Sequence, residues 1–194
     1  MAQRPLLVIV GGTPASGKTT LARRLADALA LPLLCRDTIT EWIAEGAGTD
    51  NLADTERLAR GAIRVFYELG AELLRGGVGV VMEHAYQRGI AEDQVRPLLA
   101  HARAVQITCL LPPDEAVRRY VARFERGERH AAHFDAERIE RVQSGVRQID
   151  WTRFEPLDLP IPALRVDTIA GYSPPFEAIV AFARSGGGSV NVRR

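Results

Sequence analysis

Apolar residues in this chain fall into two alternating patterns, short unbroken runs and longer stretches with helical spacing. Leu6-Leu7-Val8-Ile9-Val10, closed off by Pro5 and Gly11, is the kind of run that marks a strand buried on both faces. From Thr19 onward Leu21, Leu25 and Leu29 recur every four residues with Ala22 and Ala26 beside them, which predicts a helix that Pro32 closes. Residues 31–35 read as a second short buried strand, and 38–45 as a weak helix ending in Gly46-Ala47-Gly48. The longest helix is predicted over 54–76, carried by Leu58, Ala62, Val65 or Phe66, Leu69 and Leu73 and stopped at Gly76-Gly77. A third apolar run at 78–82, a helix at 91–102 and a fourth run at 105–111 continue the alternation. Asp114, after Pro112-Pro113, is the expected N-cap of a more polar helical segment. A short fifth run at 164–166 and a helix opened by Pro174-Pro175 and ending near Ala183 complete the pattern.

Five strands alternating with helices predict an α/β fold of three layers, an open and mainly parallel five-stranded sheet covered on both faces. Ligands in such folds gather at the carboxyl ends of the strands, here 11–20, 36–38, 83–86, 111–114 and 167–168. At 194 residues the expectation is a single domain over 1–184, with a helical lid insertion at about 114–150 and a flexible tail, Gly-rich at its start, over 185–194. Eight arginines and eight acids lie between Asp114 and Asp150, so most of those charges are expected on a solvated face.

Composition narrows the classes. Hydrophobic residues make up 46% and charged residues 25%, which is globular rather than disordered or fibrous. The net charge of +1 creates no one-sign field of the sort a dedicated nucleic-acid binder carries, and the N-terminal apolar run is too short for a signal peptide or a membrane span. A cytoplasmic protein without a membrane partner is expected. Cys35 and Cys109 stand alone in apolar stretches and read as buried free thiols. Of the 25 basic residues, 24 are arginine and one, Lys18, is lysine. This excludes guanine-specific GTPases and protein kinases, both of which need a lysine elsewhere.

That lysine lies in Gly12-Thr13-Pro14-Ala15-Ser16-Gly17-Lys18-Thr19, which satisfies G-x-x-x-x-G-K-[ST] between a strand and a helix. With this composition an accidental match is expected on the order of once in two thousand such chains. Glycines let consecutive N–H groups turn toward phosphate oxygens, and the following helix N-terminus adds partial positive charge. Gly12, Thr13, Pro14, Ala15, Ser16, Gly17, Lys18, Thr19 and Thr20 are therefore the candidate ATP-binding residues, with Lys18 on the β- and γ-phosphates and the Thr19 hydroxyl on Mg²⁺. Arginine, planar and rigid, does not replace a compact point charge there.

The P-loop, Arg36-Asp37-Thr38-Ile39, residues 123–135 and Val166-Asp167-Thr168 together resemble the small P-loop kinases, the group of adenylate, gluconate and shikimate kinases, chloramphenicol phosphotransferase and polynucleotide kinase domains. The likeness extends to AAA-type P-loop kinases related to these and implies the P-loop NTPase fold. It also implies that Asp37 is the base for an attacking hydroxyl, a role that competes with a helix N-cap. Glu83 resembles a Walker B acid, acting through a metal-bound water or as a substrate contact. His84 and Tyr86 share its strand end and become candidates for the acceptor pocket. The resemblance implies that lid arginines close on the transferring phosphoryl group, with Arg126 and Arg129 favoured over Arg123 in their three-residue spacing. His130 and His133 fit lid polarity or acceptor contact better than a metal site, and Asp167-Thr168 resembles the segment passing the adenine.

The activity expected is transfer of the γ-phosphoryl group of ATP to a hydroxyl of a small molecule. A nucleic-acid 5′-hydroxyl kinase is the enzyme alternative, against which the near-neutral charge argues for long polynucleotides. The alternative of another class is a non-catalytic, ATP-dependent binding or regulatory module.

Overall fold

The computed structural model describes residues 4–48, 51–128, 130–144 and 149–188. Its elements are β1 (Leu6–Gly12), α1 (Lys18–Leu29), β2 (Leu33–Cys35), α2 (Arg36–Ala47), α3 (Leu52–Arg75), β3 (Val80–Glu83), α4 (Glu92–Leu99), β4 (Arg103–Leu110), α5 (Pro113–Glu125), α6 (Asp135–Gln143), β5 (Ala163–Asp167) and α7 (Phe176–Ser185), with 3-10 turns at Ala131–His133 and Trp151–Phe154. The strands form one five-stranded sheet in the order β2-β3-β1-β4-β5, every neighbouring pair parallel.

β1 is buried along its whole length because it lies between β3 and β4 and because its two faces meet different helix layers. Leu7 and Ile9 point into a core with Phe66 and Leu74 of α3 and Val95 of α4, whereas Leu6, Val8 and Val10 point into a second core with Leu21 and Leu25 of α1 and Ile179 of α7. The unbroken apolar run is thus two alternating stripes, one for each outer layer. Fully buried side chains such as Leu7, Leu21 and Phe66 each contribute about 1.5–3 kcal/mol by leaving water. Among the described residues no helix is long and apolar enough to cross a membrane.

Boundaries shift where tertiary contacts prevail. β4 begins at Arg103, earlier than its apolar run, because Leu6 pairs with Arg103 and the Arg103 amide donates to the Pro5 carbonyl (3.0 Å). The helix expected over 91–102 therefore spans only Glu92–Leu99. Phe66 of α3 is buried while Val65 and Leu69 are exposed, so the buried stripe runs through Ala62, Phe66, Gly70 and Leu74. Neither Asp114, the expected N-cap, nor Asp37, for which capping was the competing role, occupies that place. Cys35 caps α2, leaving Asp37 in the first turn, and Pro112 caps α5, leaving Asp114 with Glu115 in the first turn, where carboxylates complement the helix dipole. The final helix includes Ser185, first residue of the expected tail, and residues 189–194 of that tail lie outside the described residues.

Candidate functional site

β1 ends in a loop that reverses over Gly12–Gly17 into α1, and three backbone conformations make the reversal. Gly12 has φ +133°, Ala15 φ +59° and Gly17 φ +80°. Gly12 lies against β4 so closely that a Cβ there would stand 2.2 Å from the Cys109 carbonyl oxygen, whereas Gly17, N-cap of α1, has open space around it. Among the described residues the Thr13 and Ser16 hydroxyls are buried without a hydrogen-bond partner, and Lys18 donates from Nζ to the Thr13 carbonyl (3.3 Å). A phosphate-sized anion would satisfy these unpaired donors, so the loop fits a nucleotide's phosphates. Of the candidate residues, Pro14, Ala15, Lys18 and Thr19 line the adjoining cavity, Gly12, Thr13 and Ser16 are buried within or beneath the loop, and Thr20 is exposed outside it.

Glu83, at the end of β3, is buried 97% and reaches the same point from the neighbouring strand. Its Oε2 accepts from the Thr19 hydroxyl (3.2 Å) and from the Cys35 thiol (2.8 Å). Burial and the Glu83 charge push Cys35 up to about 12, so it remains a protonated donor. Among the described residues Glu83 has no cationic partner within 4.0 Å. A buried carboxylate with only neutral donors, beside a P-loop hydroxyl, fits a divalent cation better than it fits a closed structural role.

The cavity beside these groups holds about 550 Å³ and is bordered by the P-loop, α2, α3, the loop after β3, α5 and residues 149–154. Asp37 opens onto it from the first turn of α2, paired with Arg36 (3.2 Å). Arg36 also donates to the Ala59 carbonyl of α3 (3.4 Å), holding the two helices together at the cavity edge. His84 lines the cavity with its ring against Phe66 and Tyr86. Burial, then the positive charge of Arg36, hold its imidazole down at about 3, so it is neutral across the physiological range. Tyr86 is a core residue instead, its hydroxyl donating to the Met82 carbonyl (3.2 Å) and its ring packed beneath Gly11.

The arginines of the expected lid separate. α5 ends at Glu125 because Gly127 takes φ +65°, so the three-residue spacing does not continue as a helical face. Arg126 caps the helix, is exposed and pairs with Glu128, outside the cavity lining. Arg129 lies outside the described residues. Arg123, ranked below them from spacing alone, is the one that lines the cavity, over the Tyr120 ring. Arg119 donates to the Thr168 and Ile169 carbonyls (3.1 and 2.9 Å), tying α5 to the loop after β5. His133 and His130 meet Glu41 (2.7 Å) and Glu45 (3.1 Å) of α2.

Several lining residues carried no sequence signal. Thr55, Glu56, Ala59, Arg60 and Ile63 form one stripe of α3 whose polar members interrupt its apolar period, and Trp151 and Phe154 belong to a 3-10 turn within a stretch of low periodicity.

The AAA domain family model matches residues 7–149. A solved structure of a candidate kinase from Chloroflexus aurantiacus j-10-fl is 31% identical to this chain, with a TM-score of 0.79 over 95% of this chain and 99% of that one. A sugar kinase from Janibacter sp. HTCC2649 is 20% identical, with a TM-score of 0.56 over 93% of each chain, and shares the fold. No curated protein sequence matches significantly.

Proposed function

Since the chain belongs to the AAA-domain family of P-loop proteins, we propose that it is an ATP- and Mg²⁺-dependent kinase that transfers the γ-phosphoryl group to a hydroxyl of a small molecule. The observation that carries this reading is that the P-loop lysine and threonine and the Asp37 carboxylate face one cavity, with the buried Glu83 carboxylate hydrogen-bonded to that threonine. The candidate-kinase relative supports the same class.

The loop amides and Lys18 would hold the β- and γ-phosphates, and Thr19 with Glu83 would hold the cation. A divalent cation there neutralises phosphate charge and orients the nucleotide. Asp37 accepts the proton of the acceptor hydroxyl as the alcohol oxygen bonds to the γ-phosphorus and the bond to the β–γ bridging oxygen breaks, releasing ADP. His84, whose buried imidazole resists taking up a proton, is a poor acceptor beside Asp37. Arg123 adds positive charge from α5, and the insertion at about 114–150 serves as the closing lid.

Transfer of labelled phosphate from ATP to a panel of hydroxylated metabolites and a short 5′-hydroxyl oligonucleotide tests this and separates the two acceptor classes. Lys18→Arg is expected to lower transfer at least about 100-fold with an unchanged melting temperature. Near-normal transfer in that variant refutes the assignment.

A further inference from the structure

The wall that α3, α6 and residues 149–154 give the cavity has a chemistry of its own. Ala59 and Ile63 stand one helical turn apart on α3, where Glu56 and Arg60 flank them on the same stripe, and Ile139, Ile149, Trp151 and Phe154 complete an apolar surface opposite those two charges in character. Trp151 and Phe154 form a tilted ring pair with centroids 6.3 Å apart. Their turn is fastened independently of any ligand. Asp150 caps it, the Arg88 amide donates to the Arg153 carbonyl (2.7 Å), and Gln106 makes two hydrogen bonds to the Leu157 backbone (2.9 and 3.0 Å) just beyond. Beside this wall the Thr55 hydroxyl is 98% buried and has no partner among the described residues. A polyol or sugar acid carries a polar group on nearly every carbon, and those laid against the rings and isoleucines would lose water without gaining a hydrogen bond. A ring-bearing body would lie against the aromatic and aliphatic groups, with its polar substituents left for Thr55, Glu56 and Arg60 and one hydroxyl for Asp37.

We propose that the acceptor is an alcohol carried on an apolar, ring-bearing body rather than a polyol or sugar. This rests on the kinase reading above. Transfer to such an alcohol forms one oxygen–phosphorus bond as the bridging bond of ATP breaks, the alcohol proton passing to Asp37 and ADP leaving.

Trp151 is itself the reporter. The chain has two tryptophans, and the other, Trp42 on α2, is exposed and outside the cavity, so Trp42→Phe leaves fluorescence that reads the wall alone. Phenylethanol, cinnamyl alcohol and naphthylethanol are titrated against glucose, gluconate and myo-inositol, with and without ATP and Mg²⁺, and phosphate transfer is followed in parallel. The ring alcohols are expected to change Trp151 emission at concentrations at least about tenfold lower than the polyols. Ile63→Asn and, separately, Ile149→Asn are expected to weaken that binding about tenfold. Lys18-dependent transfer to the polyols but not to the ring alcohols overturns the acceptor class and leaves the kinase reading standing. Ring-alcohol binding at Trp151 with no transfer to any acceptor upholds the class of ligand and removes the kinase reading. Equal binding of both sets, no binding of ring alcohols, or indifference to both asparagine variants overturns the proposal.

Discussion

Gly12 is the first glycine of the phosphate loop, yet its closest neighbour is a strand, and this yields a prediction about Gly12→Ala that differs from the usual expectation for such loops. A Cβ at this position would stand 2.2 Å from the Cys109 oxygen and 3.0 Å from the Cys109 carbonyl carbon, both backbone atoms of β4. Gly12 and Cys109 are register partners in the β1–β4 ladder, so relief requires that paired strands separate by about 0.8 Å where the loop departs. Overpacking of this kind costs about 1–3 kcal/mol. The φ of +133° adds backbone strain of about 1–3 kcal/mol for any residue with a Cβ. Together they predict a loss of about 4 kcal/mol, which in a chain of this size is a fall in melting temperature of about 10 °C. Gly17→Ala is the control, since it has φ +80° and open space, and it is expected to cost about 1–2 kcal/mol. Thermal and urea unfolding of both variants, followed by circular dichroism, supply the numbers, and ATP titration of the folded fraction reports the loop. A Gly12→Ala protein melting within about 3 °C of the parent, or a Gly17→Ala protein equally destabilised, would refute the packing argument.

Three further outcomes are expected. Glu83→Gln removes the charge but keeps an acceptor for Thr19 and Cys35, so the ligand-free protein should unfold at nearly the same urea concentration while the Mg²⁺ needed for ATP binding rises about 10–100-fold; an unchanged Mg²⁺ requirement removes Glu83 from the cation site. His84 is held near 3 in the folded chain against 6.5 unfolded, so the unfolded chain takes up a proton that the native one refuses, and stability falls as pH drops below 6.5. Between pH 8 and pH 5 the loss is about 2 kcal/mol, a figure any native value well below 5 reproduces, and it should vanish in His84→Gln; equal slopes for the two proteins in urea unfolding, measured in chelator, would show that the imidazole titrates freely. The buried His133–Glu41 contact should show a coupling of about 1–2 kcal/mol in a double-mutant cycle, against under about 0.5 kcal/mol for the more exposed His130–Glu45 contact; couplings of equal size would mean that burial adds nothing to the hold of this segment on α2.

The alternation of runs and periods in the sequence was enough for the sheet, its layers and the phosphate loop, because each is specified by residues close together in the chain. β1 must be apolar on both faces to be a central strand, and the loop must carry glycine where backbone and phosphate crowd a Cβ. The place of Asp37 was legible for a similar reason, since a short strand that runs directly into Arg36-Asp37 delivers that carboxylate to the strand ends wherever β2 pairs. What local pattern cannot express is which partner fills a distance. The contact between Glu83 and Thr19 joins residues 64 apart and exists only because β3 lies beside β1.

The sequence reading favoured Arg126 and Arg129 over Arg123, but Gly127 ends α5 and turns Arg126 to solvent and to Glu128, while Arg123 remains over the cavity. His84 and Tyr86 were equally close as neighbours in sequence, and the irregular backbone after β3 sends one to the cavity and the other beneath Gly11. The apolar wall of Ile63, Ile139 and Trp151 was invisible because its members come from three segments, each with its own local period or none. The sequence alone therefore determined the scaffold and the phosphate-binding chemistry, which depend on short-range geometry. The shape and polarity facing the second substrate were decided only in tertiary structure, because they arise where distant segments converge and no single period records the meeting.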